Sequence, residues 1–266
     1  MIVYASPRYG LGEAYEYAAA IFEKEGLPMR KHIFESYEEM SRAAALVFAE
    51  RIRKEPSVVL GLATGSTPLG LYNGLVSLYE AGELDFSDVV SYNLDEYYPI
   101  ARGDAQSYHH FMHANFFNRI NIKPENIHLP DGRADDPDAA CAEYEMALRK
   151  AGIGLQLLGV GDNGHIGFNE PAEALRLDTH KTALTDSTIN ANSRFFASPD
   201  DVPKSALTMG MGSIMTAKSI VVLVSGARKA PVLHSMFSGR IDPACPASLL
   251  QLHPDVLVLA DRAAAS

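Results

Sequence analysis

Residues 160–171 read Val-Gly-Asp-Asn-Gly-His-Ile-Gly-Phe-Asn-Glu-Pro, and they concentrate more potential chemistry than any other stretch of the chain. Gly161, Gly164 and Gly167 surround His165, and Glu170 follows five residues after the histidine. Glycines let the backbone turn sharply and leave room for a ligand. An imidazole held in such a loop can carry protons near neutral pH, with its tautomer set by a nearby acid. The competing reading is a glycine-rich connection with an incidental histidine.

A second candidate is Thr64-Gly65-Ser66-Thr67-Pro68, which follows an apolar run and precedes a helical pattern. Gly65 permits close backbone approach, and Pro68 suits the first position of a helix. Hydroxyls and free N–H groups at a helix start make an anion site. The same residues would also serve as a polar turn with a capping Ser or Thr. The lysine of a GxxxxGK[ST] loop is missing and there is no GxGxxG, so neither a nucleotide P-loop nor a dinucleotide site is predicted.

Asp95 and Glu96 also follow an apolar run. Paired acids there can hold a general base, or can form a cap or solvated turn. Arg194, Arg228 and Lys229 are loop cations that could close an anion pocket. Arginine supplies a bidentate fork and lysine a point charge; each taken singly also reads as a surface cation. His109 and His113 have an i,i+4 spacing compatible with metal binding. The HExxH glutamate is absent and no second ligand cluster accompanies them, so a half-buried polar helix face and no metal are expected.

The elements that must carry these residues follow a rhythm. Apolar runs at 58–63, 89–94, 155–159, 220–224 and 256–260 are β-branched or aliphatic on both parities, as in parallel strands covered on both faces. Helical patterns lie at 37–53, 69–81, 107–119, 137–151 and 227–237. Ser36 with Glu39 reads as a capping box, and Asp136-Pro137 as a cap and first-turn pair. The alternation predicts a Rossmann-like α/β doubly wound fold, mostly parallel, with helices on both faces. Its ligands would bind outside the carboxyl ends of the strands, where every segment above lies. Residues 1–28 are expected to be an N-terminal extension carrying one helical stretch, and 29–266 a single domain that opens with an edge strand at 29–34.

Composition limits the function classes. The chain has 266 residues, 47% hydrophobic and 21% charged, with a net charge of −10. That length supports a large core without disulfide or metal staples. The acidic balance argues against nucleic acid and anionic membranes, and leaves a local basic pocket for a small anion. Cys141 and Cys245 form no CxxC motif, and no apolar run approaches membrane-spanning length. The N-terminus, with Glu13 and Glu16, does not read as a signal peptide. A soluble, cytoplasmic protein is expected.

The segments LGLATGSTPLGLY (60–72), SYNLDEYYPI (91–100), SYHHFMHANFF (107–117), LLGVGDNGHIGFNEP (157–171), NSRFF (192–196) and SGARKA (225–230) together resemble the glucosamine-6-phosphate deaminase family. The resemblance runs from about Met29 to Asp261. It implies a metal-independent reaction without cofactor in amino-sugar catabolism, with water converting D-glucosamine 6-phosphate to D-fructose 6-phosphate and ammonia. Galactosamine 6-phosphate is the alternative substrate, and a non-catalytic sugar-phosphate sensor the alternative class. By position, Thr64, Gly65, Ser66 and Thr67 match the phosphate loop, Arg194 and Lys229 its cations, and Gly167 lies in the substrate-binding motif. Asp95 matches the base that moves a proton from C2 to C1. His165 matches the ring-opening proton carrier, supported by Glu170 and Asn163. Position 163 is an acid in some members and an amide here. The effector site of hexameric members would correspond to Glu173, Ala174, His180 and Thr182, where Glu173 would repel phosphate. No activation by N-acetylglucosamine 6-phosphate is therefore expected. A homo-oligomer is compatible with the family, whose members range from monomers to hexamers.

Overall fold

Apolar runs that do not alternate with polar residues need cover on both faces, and here they form the middle of one sheet. The computed structural model describes residues 29–193, 196, 198 and 201–266; the expected N-terminal extension and Arg194 lie outside the described residues. In chain order the strands are β1 (Met29–Phe34), β2 (Val59–Leu62), β3 (Val90–Asn93), β4 (Asp95–Tyr98), β5 (Ile127–His128), β6 (Leu155–Gly159), β7 (His180–Ala183), β8 (Ser205–Thr208), β9 (Ile220–Val224) and β10 (Val256–Asp261). The α-helices are α1 (Tyr37–Lys54), α2 (Leu69–Glu80), α3 (Tyr108–Asn115), α4 (Pro137–Ala151), α5 (Asp186–Asn192), α6 (Met211–Met215) and α7 (Ala230–Met236).

Seven strands form a parallel sheet in the order β1-β10-β9-β6-β2-β3-β5. Every residue of β9 and β10 is buried, so both faces are covered. From β2 the chain steps outward through β3 to β5, then crosses back to β6 on the other side of β2. The connections leaving β2 and β6 therefore diverge, which opens a crevice at the carboxyl ends of these two neighbours.

Local signals set the helix starts. Asp136 accepts hydrogen bonds from the N–H groups of Asp138 and Ala139, with Pro137 in the first turn of α4. Ser36 accepts from the Glu39 N–H, but the Glu39 carboxylate takes the N–H of Glu35 instead of that of Ser36, so half of the expected capping box forms. Pro68 sits at the cap position of α2, one place earlier than predicted, and no side chain caps this helix. The 107–119 pattern breaks at Phe116 into a 3-10 turn, and the 227–237 pattern begins as one. His109 and His113 are half-buried on α3 with rings 4.4 Å apart. Among the described residues no group of three or more His, Cys, Asp or Glu could hold a metal. Both cysteines are free thiols, Cys141 buried and Cys245 half-buried. No helix among the described residues is long and apolar enough to cross a membrane.

One part of the architecture departs from the expectation. Asp95 and Glu96 do not sit in a simple strand-end turn: after Leu94 the chain enters β4 of a second, antiparallel sheet ordered β4-β8-β7. These strands have four residues each, and Asp-Glu-Tyr-Tyr and His-Lys-Thr-Ala carry no apolar alternation. Their pairing is decided by neighbours more than 80 residues apart in sequence, as β4 with β8 shows, and not by local propensity.

Candidate active site

A cleft of ≈ 460 Å³ opens where β2 and β6 diverge. Four chain segments meet there: the 63–68 loop after β2, Asp95 on β4, the glycine loop after β6, and Arg228-Lys229 after β9. Of the residues singled out in the sequence, Thr64, Gly65, Ser66, Thr67, Asp95, Asn163, His165, Gly167 and Lys229 all line it. Glu170 stands directly behind Asn163.

One end of the cleft is built for an anion. Gly65 has φ +104 and no atom within contact range of a Cβ placed on it, so the backbone lies open to the cleft. No hydroxyl of this loop is committed to capping α2. Across from it Lys229 Nζ lies 2.6 Å and Arg228 Nε 3.4 Å from the carboxylate of Asp162. Burial works to raise the Asp162 pKa, but the bonds and charges of Lys229 and Arg228 outweigh it and hold the group below the usual range.

At the centre is a chain of hydrogen bonds. The Asn163 amide donates from Nδ2 to Glu170 Oε2 at 2.9 Å, and its Oδ1 lies 2.7 Å from His165 Nδ1. Thr188 donates its hydroxyl to the other Glu170 oxygen. Burial raises the Glu170 pKa, yet His165, Thr188 and Asn163 together bring it down to about 2. Glu170 is thus an ionised acceptor, and the donor end of Asn163 must face it. The amide oxygen then faces His165, so the ring carries its proton on Nδ1 and leaves Nε2 as the free acceptor in the neutral form. The ring packs over Gly161, where any Cβ would lie 2.2 Å from Cε1.

Asp95 has the opposite surroundings. It is 6% exposed, and among the described residues no hydrogen bond to its carboxylate is present. Burial first, and the adjacent Glu96 second, push its pKa well above the carboxylate range. Gly167 lies over it with φ +58; a Cβ there would approach Asp95 Oδ2 to 3.3 Å and Thr208 Oγ1 to 2.9 Å. Glycine therefore serves two needs at this position, the left-handed backbone and open space above the carboxylate. The glycine loop is tied to the small sheet: Phe168 N–H donates to Thr208 Oγ1, and Asn169 Nδ2 donates to the carbonyl of Met209. The second sheet thus fixes the distance between the two acidic walls.

Three lining residues carry no sequence signal of their own. Tyr108, whose ring lies parallel to Phe168 at 6.1 Å, Thr188 and Asn190 all reach the cleft. Tyr108 lies within a quoted family segment, but its spacing alone says nothing; Thr188 and Asn190 come from the short helix α5.

Comparison with known proteins agrees with this geometry. A family model described as glucosamine-6-phosphate isomerases/6-phosphogluconolactonase matches residues 35–258. The chain is 52% identical over 239 residues to a glucosamine-6-phosphate deaminase of Thermoanaerobacter pseudethanolicus, covering 90% of this chain and 94% of that protein. It is 52% identical over 238 residues to the one from Clostridium perfringens, covering 89% and 98% respectively. A solved structure of a monomeric glucosamine-6-phosphate deaminase superposes with a TM-score of 0.87 at 44% identity, covering 89% of this chain and 99% of that one. A 6-phosphogluconolactonase from Leishmania guyanensis, at 23% identity and a TM-score of 0.69 over 89% of this chain and 97% of that one, shares the fold.

Proposed function

The chain belongs to the glucosamine-6-phosphate isomerase/6-phosphogluconolactonase family, and we propose that within it this protein is a glucosamine-6-phosphate deaminase. The observation that carries this reading is the pairing, in one cleft, of a buried carboxylate that accepts no hydrogen bond among the described residues and a histidine whose tautomer is set by Asn163. A lactone hydrolase must activate water, and needs no carboxylate set apart to take a proton from carbon. A sugar-phosphate sensor needs phosphate contacts and neither of these groups.

The steps follow from the residues. The phosphate rests against the N–H groups and hydroxyls of Thr64, Gly65, Ser66 and Thr67, balanced by Lys229 and Arg228; Arg194 joins them only by the family resemblance. This contact is remote from the reacting carbons and supplies binding energy that orients them. His165 Nε2 takes the anomeric hydroxyl proton, and the imidazolium returns a proton to the ring oxygen as the ring opens. Ionised Glu170, acting through Asn163, stabilises the transient positive charge on the ring. Asp95 then removes the C2 proton and delivers it to C1. A poorly solvated carboxylate with a raised pKa is a stronger base than one in water, and Gly167 leaves it room to reach both carbons. The enolamine that forms tautomerises to a C2 imine, and water replaces the nitrogen to give fructose 6-phosphate and ammonia.

The test is release of ammonia and fructose 6-phosphate from purified protein, with glucosamine 6-phosphate and galactosamine 6-phosphate compared without added metal. Turnover of the gluco substrate is expected. Preference for the galacto epimer would keep the chemistry and change the substrate. Binding without turnover of either would overturn the enzymatic reading in favour of a sensor.

A further inference from the structure

Glu96, beside Asp95, has no part in the reaction as described, yet its surroundings are as specific. Successive residues of a strand point to opposite sides. Asp95 lines the cleft, whereas Glu96, 3% exposed, turns to the start of α3. Its Oε1 accepts the N–H groups of Tyr97 at 2.9 Å and Tyr108 at 2.8 Å, and its Oε2 that of His109 at 2.8 Å. Ser107 Oγ takes the N–H of His110, and the Ser107 N–H itself donates to the carbonyl of Asp104. All four N–H groups left open at the start of α3 are therefore satisfied, two of them by Glu96.

A protonated carboxyl accepts N–H groups more weakly than a carboxylate does. The ionised form suits every contact, and the positive end of the helix favours it further. Two adjacent buried carboxylates resist ionising together. We propose that Glu96 is a positioning residue that stays ionised behind the cleft, holds Tyr108 in place, and thereby assigns the labile proton of the acid pair to Asp95. The proposal rests on the reading of Asp95 as the carbon base.

Other groups facing the pair do not supply this effect. Tyr72 on α2, Tyr97 on β4, Tyr108 on α3 and Tyr144 on α4 all face Asp95, and burial pushes each hydroxyl far above neutral pH, so none carries charge. Burial pushes the Glu96 carboxyl up, the N–H groups of Tyr108, His109 and Tyr97 draw it back, and Asp104, before α3, adds negative charge beside it. Opposite Glu96 on β8 lies apolar Leu207. His165 and Lys229 share the cleft with Asp95 but belong to other loops.

The experiment is a carbon-13 carboxyl NMR titration of the ligand-free protein, assigned with Asp95→Asn and Glu96→Gln. The expected result is that Asp95 titrates well above the ordinary carboxylate range and that Glu96 ionises at a clearly lower pH than Asp95. In Glu96→Gln the Asp95 midpoint should fall by about one pH unit or more. The acidic limb of kcat/KM should move down with it, and the plateau rate should drop about 3–10-fold as the base weakens. A structural cap alone would lower activity at every pH and leave the limb where it is. Should Glu96→Gln not fold, the titration of the unaltered protein still decides: a Glu96 midpoint at or above that of Asp95 overturns the proposal, as does an Asp95 midpoint indifferent to Glu96→Gln. Absence of deaminase turnover would overturn the functional reading and leave the NMR result to decide the acid pair by itself.

Discussion

Asp95 and Glu170 stand at the same cleft and are both largely buried, yet their surroundings drive them apart. Glu170 accepts from Thr188 and Asn163, has the His165 ring 3.5 Å away, and remains ionised far into acid. Asp95 is met by no donor among the described residues and has Glu96 beside it, so it gives up its proton reluctantly. Burial alone does not separate these two carboxylates; the donors and charges around them do. A pair of titratable groups pushed in opposite directions marks a division of labour between electrostatic support and proton transfer.

The contrast breaks most sharply at Asp95. Asp95→Asn should lower turnover by about 10²–10⁴-fold, the range for losing a general base. The same change should stabilise the protein. A carboxyl whose pKa is raised on folding favours the native state below its unfolded pKa, and that contribution is lost as pH rises through the folded value. The amide never ionises, so thermal unfolding of Asp95→Asn should occur about 2–4 °C higher at pH 8 and match the unaltered protein near pH 4. Higher activity or lower stability at pH 8 would contradict the assignment.

Glu170→Gln tests the opposite sign. A carboxyl with a depressed pKa contributes stability above its unfolded value, and loses it as pH falls toward the folded value of about 2. Urea unfolding should show Glu170→Gln less stable by about 1–2 kcal/mol at pH 7, with the gap closing between pH 4.5 and 2. Turnover should fall about 10–100-fold, because the relay to His165 loses its charge. Equal deficits at pH 7 and pH 3 would show that the carboxylate gains nothing from its donors.

The smallest effect is expected at Thr188. Thr188→Val removes one of the two hydrogen bonds Glu170 accepts and should cost about 3–10-fold in kcat, with Thr188→Ser close to the unaltered rate. A loss as large as that of Glu170→Gln would mean that this one hydroxyl, and not the donor set together, holds the carboxylate.

Much of this was legible in the sequence, and unevenly so. The boundaries of β6, β9 and α4 coincide with the apolar runs and the Asp136-Pro137 start, because burial on both faces and first-turn capping leave local patterns. The phosphate-type loop, Asp95 and the glycine loop could each be placed at a strand's carboxyl end, and the fold class alone brings such ends to one edge. The small sheet could not be read. Asp95–Tyr98 looks like a polar turn until Ser205–Thr208 lies beside it. Thr188 gave no sign, because a lone threonine acquires meaning only from the carboxylate it reaches. Glu96 was visible only as half of an acidic pair, and two of its three backbone donors depend on where α3 begins.

The sequence by itself determined the parallel sheet, the strand ends that meet at the cleft and the titratable residues that line it. These follow from periodicity and residue type, which act over a few positions. The tertiary structure alone decided which carboxylate is supplied with donors and which is left without. Those donors arrive from Asn163 and Thr188 on one side and, among the described residues, from none on the other. Such a difference arises from packing between segments far apart in the chain, and local pattern does not encode it.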